Sequence, residues 1–158
     1  MTVDKYTFTY VTLFGKITIS EDGEGNICGL YFPCSNLPIS EDRETDTIVE
    51  AISQLKEYFS GSRKKFNLPL AYEGTEFQES VWNAISEIPF GETATYSEIA
   101  ERMGNPRSFR AVGTACGTNP IPIIVPCHRV VQSSGGMGSY AGGKNLKKKL
   151  LDLEVEFL

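Results

Sequence analysis

The sequence predicts an α+β protein, with a strand-rich first half and a mainly helical second half that carries a helix-turn-helix. Three observations support this expectation. Aromatic, β-branched and threonine residues alternate through the region 6–32. Two capping-box signatures, accompanied by apolar residues at helical spacing, lie beyond residue 74. A stretch punctuated by proline and glycine separates the halves. A chain of 158 residues has room for one good core or two small packed lobes. The boundaries read as 1–66 for the first lobe, 67–74 for a linker and 75–158 for the second.

Tyr6, Phe8, Tyr10 and Thr12 alternate with Thr7, Thr9, Val11 and Leu13, and residues 16–20 and 26–32 follow as further strands. Residues 21–26, Glu-Asp-Gly-Glu-Gly-Asn, supply the turn chemistry of a hairpin. Ile48, Ile52, Leu55 and Phe59 mark an amphipathic helix that stops at Ser60-Gly61. Thr75 with Gln78 starts the next helix, whose buried stripe is Phe77, Val81, Trp82 and Ile85. Thr95 with Glu98 repeats the start signal, Met103-Gly104 ends that helix, and Asn105-Pro106 opens a third. At about 100° per residue, Phe109, Val112 and Cys116 point toward the core, whereas Arg107, Arg110, Ala111 and Thr114 point outward. This outward face is positive and otherwise small, so a nucleic-acid backbone can approach it closely. Residues 119–127 hold three prolines and are expected as a stiff extended segment delivering Cys127. Residues 133–143 are a glycine-rich loop. They fall short of a phosphate-binding loop, because Asn145 stands where a Ser or Thr is required. In the last helix Leu146, Leu150 and Leu153 share a face flanked by Glu154, and Lys147-Lys148-Lys149 are expected as solvated charges.

The composition, 41% hydrophobic and 22% charged with a net charge of −5, is that of an ordinary globular protein. Residues 1–79 carry 7 basic and 13 acidic side chains, and residues 80–158 carry 8 and 7, so the acidity belongs to the first half. No apolar run spans a bilayer and the first residues do not form a secretory signal, so a cytoplasmic protein without membrane association is expected. In that compartment Cys28, Cys34, Cys116 and Cys127 are expected as free thiols. They lack the spacing of a zinc site, and no cofactor is expected.

Pro-Cys-His-Arg-Val at 126–130 is the most specific stretch, because it sets Cys127 beside the only histidine, His128. Sulfur attacks as the thiolate, and a nearby imidazole is the usual means of forming one near neutral pH. Adjacent residues on an extended segment point to opposite sides, so a bridging water or a turn must connect the pair. Glu154 is the carboxylate best placed to orient the imidazole. On the residues alone this is a Cys-His-Glu nucleophile, and a cysteine hydrolase is one class it fits.

The surrounding motifs narrow the choice. Phe77-Gln78 with Val81-Trp82, Ile88-Pro89 with Gly91 and Thr93, Tyr96, Gly104-Asn105-Pro106, Arg110-Ala-Val-Gly113, Asn119-Pro120, Pro126-Cys-His-Arg-Val130 and Tyr140 with Gly142-Gly143 occur in this order. Together, from about Gly74 to Glu154, they resemble the O6-alkylguanine-DNA alkyltransferase family. The resemblance implies a small ribonuclease-H-like sheet lobe ahead of a helical DNA-binding lobe, and a direct-reversal repair activity. Such a protein, a monomer, binds double-stranded DNA from the minor groove and rotates the alkylated guanine into a pocket. There it transfers the alkyl group to its own cysteine in a single-turnover, suicide reaction, with O4-alkylthymine as a further candidate substrate.

The resemblance also implies roles. Cys127 is the alkyl acceptor, His128 acts through a water as base, and Glu154 orients His128. Asn119 holds the active-site turn, and Tyr96 contacts the flipped nucleotide and donates toward guanine N3. Arg110 enters the duplex, while Ser97, Asn105 and Ser133 meet DNA. Tyr140 walls the pocket, with backbone groups near Cys127 and Val130 reading the exocyclic amine and Ala141 at the guanine oxygen. Some members have serine where this chain has Ala141, which puts tolerance of large adducts in doubt. Some hold zinc in the first lobe, but this chain has no spare histidine and no metal is expected. Relatives that only bind the lesion have tryptophan at the reactive position, and Cys127 separates this chain from them.

Overall fold

A computed structural model describes residues 5–33 and 35–158, so Cys34 lies outside the described residues. The chain divides into two compact units, Met1–Tyr72 and Glu73–Leu158.

In the first unit β1 (Tyr6–Thr12), β2 (Gly15–Glu21) and β3 (Ile27–Tyr31) form an antiparallel run. The two-residue β4 (Glu41–Asp42) joins the outer side of β1 in parallel, giving the order β3-β2-β1-β4. The Asp22 carboxylate organises the β2–β3 turn by accepting from the backbone N–H groups of Glu24 and Asn26 at 2.8 and 3.1 Å. Helix α1 (Asp46–Phe59) starts on the Thr45 hydroxyl, which accepts from Ile48 N–H. It ends where Gly61 adopts a φ of 82°, a conformation that favours glycine. Ile48, Leu55 and Tyr58 of α1 are buried with Ile17, Ile19 and Ile27 of the sheet. Part of the stretch expected as a linker is held in this unit. Ile27 N–H donates to Pro69 O and Ala71 N–H to Ile27 O, while the Gln54 side chain bonds both N–H and C=O of Asn67. Pro69 can serve there because only its carbonyl is needed.

The second unit holds α2 (Glu76–Ser86), β5 (Ala94–Thr95), α3 (Tyr96–Arg102), α4 (Phe109–Gly117), β6 (Val130–Val131) and α5 (Lys144–Glu156), with 3₁₀ turns at Pro106–Ser108 and Cys127–Arg129. Both capping boxes form, on Thr75 with Gln78 and on Thr95 with Glu98. α3 and α4, joined through Gly104 and the first 3₁₀ turn, make the helix-turn-helix. Trp82 Nε1 donates to Ala115 O at 2.8 Å and ties α2 to α4. β5 pairs in parallel with β6, setting Ala94 opposite Val130 and Thr95 opposite Val131.

Three expectations are corrected. Phe109 is 43% exposed, not core. Because Pro106–Ser108 form a separate 3₁₀ turn, Phe109 is the first residue of α4 and sits at its open end, where angular position alone does not ensure burial. The segment 119–126 is not simply extended. Val125 N–H donates back to Ile121 O at 2.9 Å, and Ile123 has a φ of 73°, strained for a β-branched residue. Lys147 is fully buried, whereas Lys148 and Lys149 are exposed. Lys147, Leu150 and Glu154 follow i, i+3, i+7 spacing and share the inward face of α5.

Candidate active site

The turn carrying Cys127 is built by Asn119. Its Nδ2 donates to Val125 O at 2.9 Å and its Oδ1 accepts from Ile121 N–H at 3.0 Å, clamping both arms of the strained loop. Such a clamp lets a left-handed Ile123 persist. Cys127 then opens a 3₁₀ turn, with its own N–H donating to Val125 O and Arg129 N–H to Pro126 O. This turn takes the place of the expected extended geometry and brings Cys127, His128 and Arg129 into one buried cluster.

Glu154 organises that cluster. Its carboxylate, 1% exposed, lies 2.6 Å from His128 Nε2 and accepts from Arg129 Nε and Nη2 at 2.9 and 3.0 Å and from Gly91 N–H at 3.0 Å. Arg129 Nη1 donates to Ile88 O at 2.6 Å. A buried charge is tolerable only when paired and hydrogen-bonded, and here every partner is within reach. The sequence by itself assigns Arg129 no role, although it adjoins the histidine in the motif. Burial lowers the His128 pKa below the ordinary histidine value, with Glu154 pulling the other way and Arg129 and Lys147 adding to the fall. The imidazole is therefore neutral at neutral pH. With Nε2–H donating to Glu154, Nδ1 carries the basic lone pair.

Burial pushes the Cys127 thiol up to about 11, opposed by the hydrogen bond from Asn119 and the charge of Lys147. Cys116, also buried, is pushed up to about 12 by burial and by the charge of Cys127, so Cys127 is the more acidic of the two. Both stay protonated at neutral pH, and a thiolate requires a base. Lys147 was not expected here. Its Nζ donates to Val130 O at 2.6 Å, and burial lowers its pKa while the two thiols oppose the fall. Its i, i+7 relation to Glu154 was the signal that could have found it.

Tyr96, at the start of α3, is half-buried, and its phenol is pushed up to about 12 by burial, then by Cys116 and Cys127. Gly138 lies against it: a Cβ there would stand 2.5 Å from the hydroxyl, and the φ of 77° independently favours glycine. The Tyr140 ring stands edge-on to His128 at 6.5 Å, while Ala141 is exposed. Tyr96, Ser97, Arg110 and Ser133 line a cavity of about 350 Å³ together with Phe109 and Gly113. The Ser97 and Ser133 hydroxyls are 3.4 Å apart. Asn105 does not line this cavity. It sits in the α3–α4 connection, its carbonyl accepting from Ser108 N–H and Oγ. Val130 is buried and already accepts from Lys147, which leaves its carbonyl a second lone pair. Among the described residues no helix is long and apolar enough to cross a membrane.

Two family models match. One, described as 6-O-methylguanine DNA methyltransferase, DNA binding domain, covers residues 76–156, and the other, its ribonuclease-like domain, covers residues 5–72. The chain is 58% identical over 105 residues to a methylated-DNA–protein-cysteine methyltransferase of Methanosarcina acetivorans, spanning 66% of this chain and 67% of that protein. It is 41% identical over 157 residues to the constitutive methylated-DNA–protein-cysteine methyltransferase of Bacillus subtilis, covering 94% of each. Among solved structures, Mycobacterium tuberculosis OGT in complex with DNA matches with a TM-score of 0.91 at 39% identity, over 96% of this chain and 94% of that one.

Proposed function

Because this chain belongs to the 6-O-methylguanine DNA methyltransferase family, we propose that it repairs O6-alkylguanine in double-stranded DNA by moving the alkyl group to Cys127. The observation that carries this reading is the Cys127 turn, with its neutral histidine fixed by Glu154. The duplex is bound from the minor groove through the helix-turn-helix, with Arg110 entering the stack and Tyr96, Ser97, Asn105 and Ser133 in contact with the strand. The damaged base swings into the pocket beside Tyr140, Val130 and Ala141, at a cost of a few kcal/mol that weak pairing of a damaged base reduces.

In the reaction His128 Nδ1 takes the Cys127 proton through a water, and the Glu154 carboxylate stabilises the imidazolium. Lys147 favours the thiolate by its charge. A sulfur–carbon bond forms as the carbon–O6 bond breaks, and the released electron pair passes into the guanine ring, where Tyr96 donates its proton toward N3. The imidazolium proton returns to the tyrosinate through water, so protons balance. The thioether does not revert, and the molecule acts once, as a monomer, in a reducing cytoplasm that keeps Cys127 a thiol. O4-alkylthymine presents a similar ether carbon and is a second candidate substrate.

Mass spectrometry after incubation with a duplex containing one O6-methylguanine tests this. A single methyl group on the Cys127 peptide is expected. Lesion-specific binding with Cys127 unmodified would instead make the protein a recognition module. The pH profile gives a second test. Neutral His128 is required and its pKa is lowered from the ordinary 6.5, so the single-turnover rate should change little between pH 8 and 7 and reach half only below pH 6.5. A rate already halved at pH 7 would contradict a depressed imidazole.

A further inference from the structure

Phe109, at 43%, is the one exposed side chain among the nine phenylalanines, all of them described, the other eight being buried or half-buried. Nothing in the chemistry of Cys127 uses it. The Arg110 guanidinium lies 5.8 Å from the centre of its ring, and both side chains line the cavity shared with Tyr96, Ser97 and Ser133. Arg107 is exposed in the turn just before α4. The N-terminus of α4, the Arg110 guanidinium, two hydroxyls and one exposed aromatic ring thus gather at one cavity, with Arg107 next to it in sequence. That combination is complementary to a polyanion that also offers flat rings for stacking.

We propose that Phe109 is a second wedge residue. Its ring packs in the minor groove against the base face uncovered beside the flipped nucleotide, while Arg110 takes the vacated place. The proposal rests on the reading of the chain as a methyltransferase acting on duplex DNA. A base that leaves the helix strips its neighbours of one stacking partner. An apolar ring inserted from the minor groove restores part of that contact and holds the duplex in its opened form. Every base has a π face, so the gain is indifferent to the neighbouring sequence. Arg110 alone brings charge but little apolar area, and Phe109 supplies the missing area.

The test compares single-turnover methyl transfer by the unaltered protein, Phe109→Ala and Phe109→Tyr, each with a duplex carrying one O6-methylguanine and with the free O6-methylguanine base. The ratio of duplex rate to free-base rate should fall roughly tenfold in Phe109→Ala, the size of effect that losing one base–aromatic stack produces. Phe109→Tyr should keep most of the ratio. Equal losses on duplex and free base would overturn the proposal, as would an undiminished duplex rate in Phe109→Ala. If the unaltered protein transfers no methyl group from the duplex, the wedge and the reading beneath it both fail. Transfer by the unaltered protein with an unaffected ratio in Phe109→Ala sinks the wedge alone.

Discussion

Replacing Glu154 by glutamine is expected to destabilise the second unit by about 3–5 kcal/mol and to slow methyl transfer by roughly two to four powers of ten. Glutamine keeps the shape and removes the charge. The Arg129 guanidinium then remains buried without its counter-ion, the situation in which half an ion pair costs most. Geometry adds to the loss. Both carboxylate oxygens accept in this site, from Gly91 and Arg129 on one and from His128 and Arg129 on the other. An amide presents one oxygen and one NH₂, so at least one donor must face another donor. A loss of this size is a large share of the 5–15 kcal/mol typical of a folded domain. Rates should therefore be taken in the cold, where the variant remains folded, and stability read as a shift of the urea midpoint at unchanged slope. A midpoint shift worth less than about 1 kcal/mol would show that Arg129 finds compensation elsewhere. An unaltered rate in the folded variant would remove Glu154 from the proton relay.

Lys147→Met should act differently, lowering the transfer rate at neutral pH by roughly tenfold with little effect on stability. Each tenfold loss of thiolate corresponds to one pKa unit of Cys127, or about 1.36 kcal/mol, which is a modest demand on a charge that opposes the upward push of burial on that thiol. The stability terms nearly cancel. Removing the ammonium leaves Val130 O without this donor, at about 1–3 kcal/mol, while taking a buried charge out of the interior returns a comparable amount. The pH dependence separates charge from packing. As the solution approaches the thiol pKa of about 11, the thiolate forms without help and the deficit of the variant should shrink. A Cys127 thiolate titration with the same midpoint in the variant as in the unaltered protein would instead mean that Lys147 only shapes the turn.

Much of this architecture could be read from residues. Thr75 with Gln78 and Thr95 with Glu98 announced their helices because capping is a local bargain between neighbours in sequence. The hairpin strands and the α1 stripe were legible for the same reason, as periodicity reports directly on which face is covered. What escaped was decided by distant contacts. Lys147 looks like one of three solvated lysines, and it is the Val130 carbonyl with the thiols of Cys127 and Cys116, all distant in sequence, that makes its burial tolerable. Phe109 looked like core because helical angle says nothing about where a helix ends. The fold-back at Ile121–Val125 was hidden by three prolines that argue for extension, while the clamp that bends the chain is one asparagine reaching six residues ahead. Arg129 was visible as part of a motif, but its partners on Ile88 and Glu154 lie 41 and 25 residues away.

The two-residue ladder between β5 and β6 also bears on how this protein can change. By pairing Ala94 with Val130 and Thr95 with Val131, it pins the two ends of the intervening chain side by side. Tyr96 leaves one end and the Cys127 turn enters the other, so their spacing is set by the staple and not by the length of chain between them. The helix-turn-helix behaves as an inserted cassette. Residues can be gained or lost around Gly104 and Asn105, outside the staple, without moving the Cys127 sulfur relative to the tyrosine. A single residue added at Thr95 or Val131 would shift that spacing at once. Variation in how DNA is gripped is thereby decoupled from the chemistry, and the two can diverge at different rates.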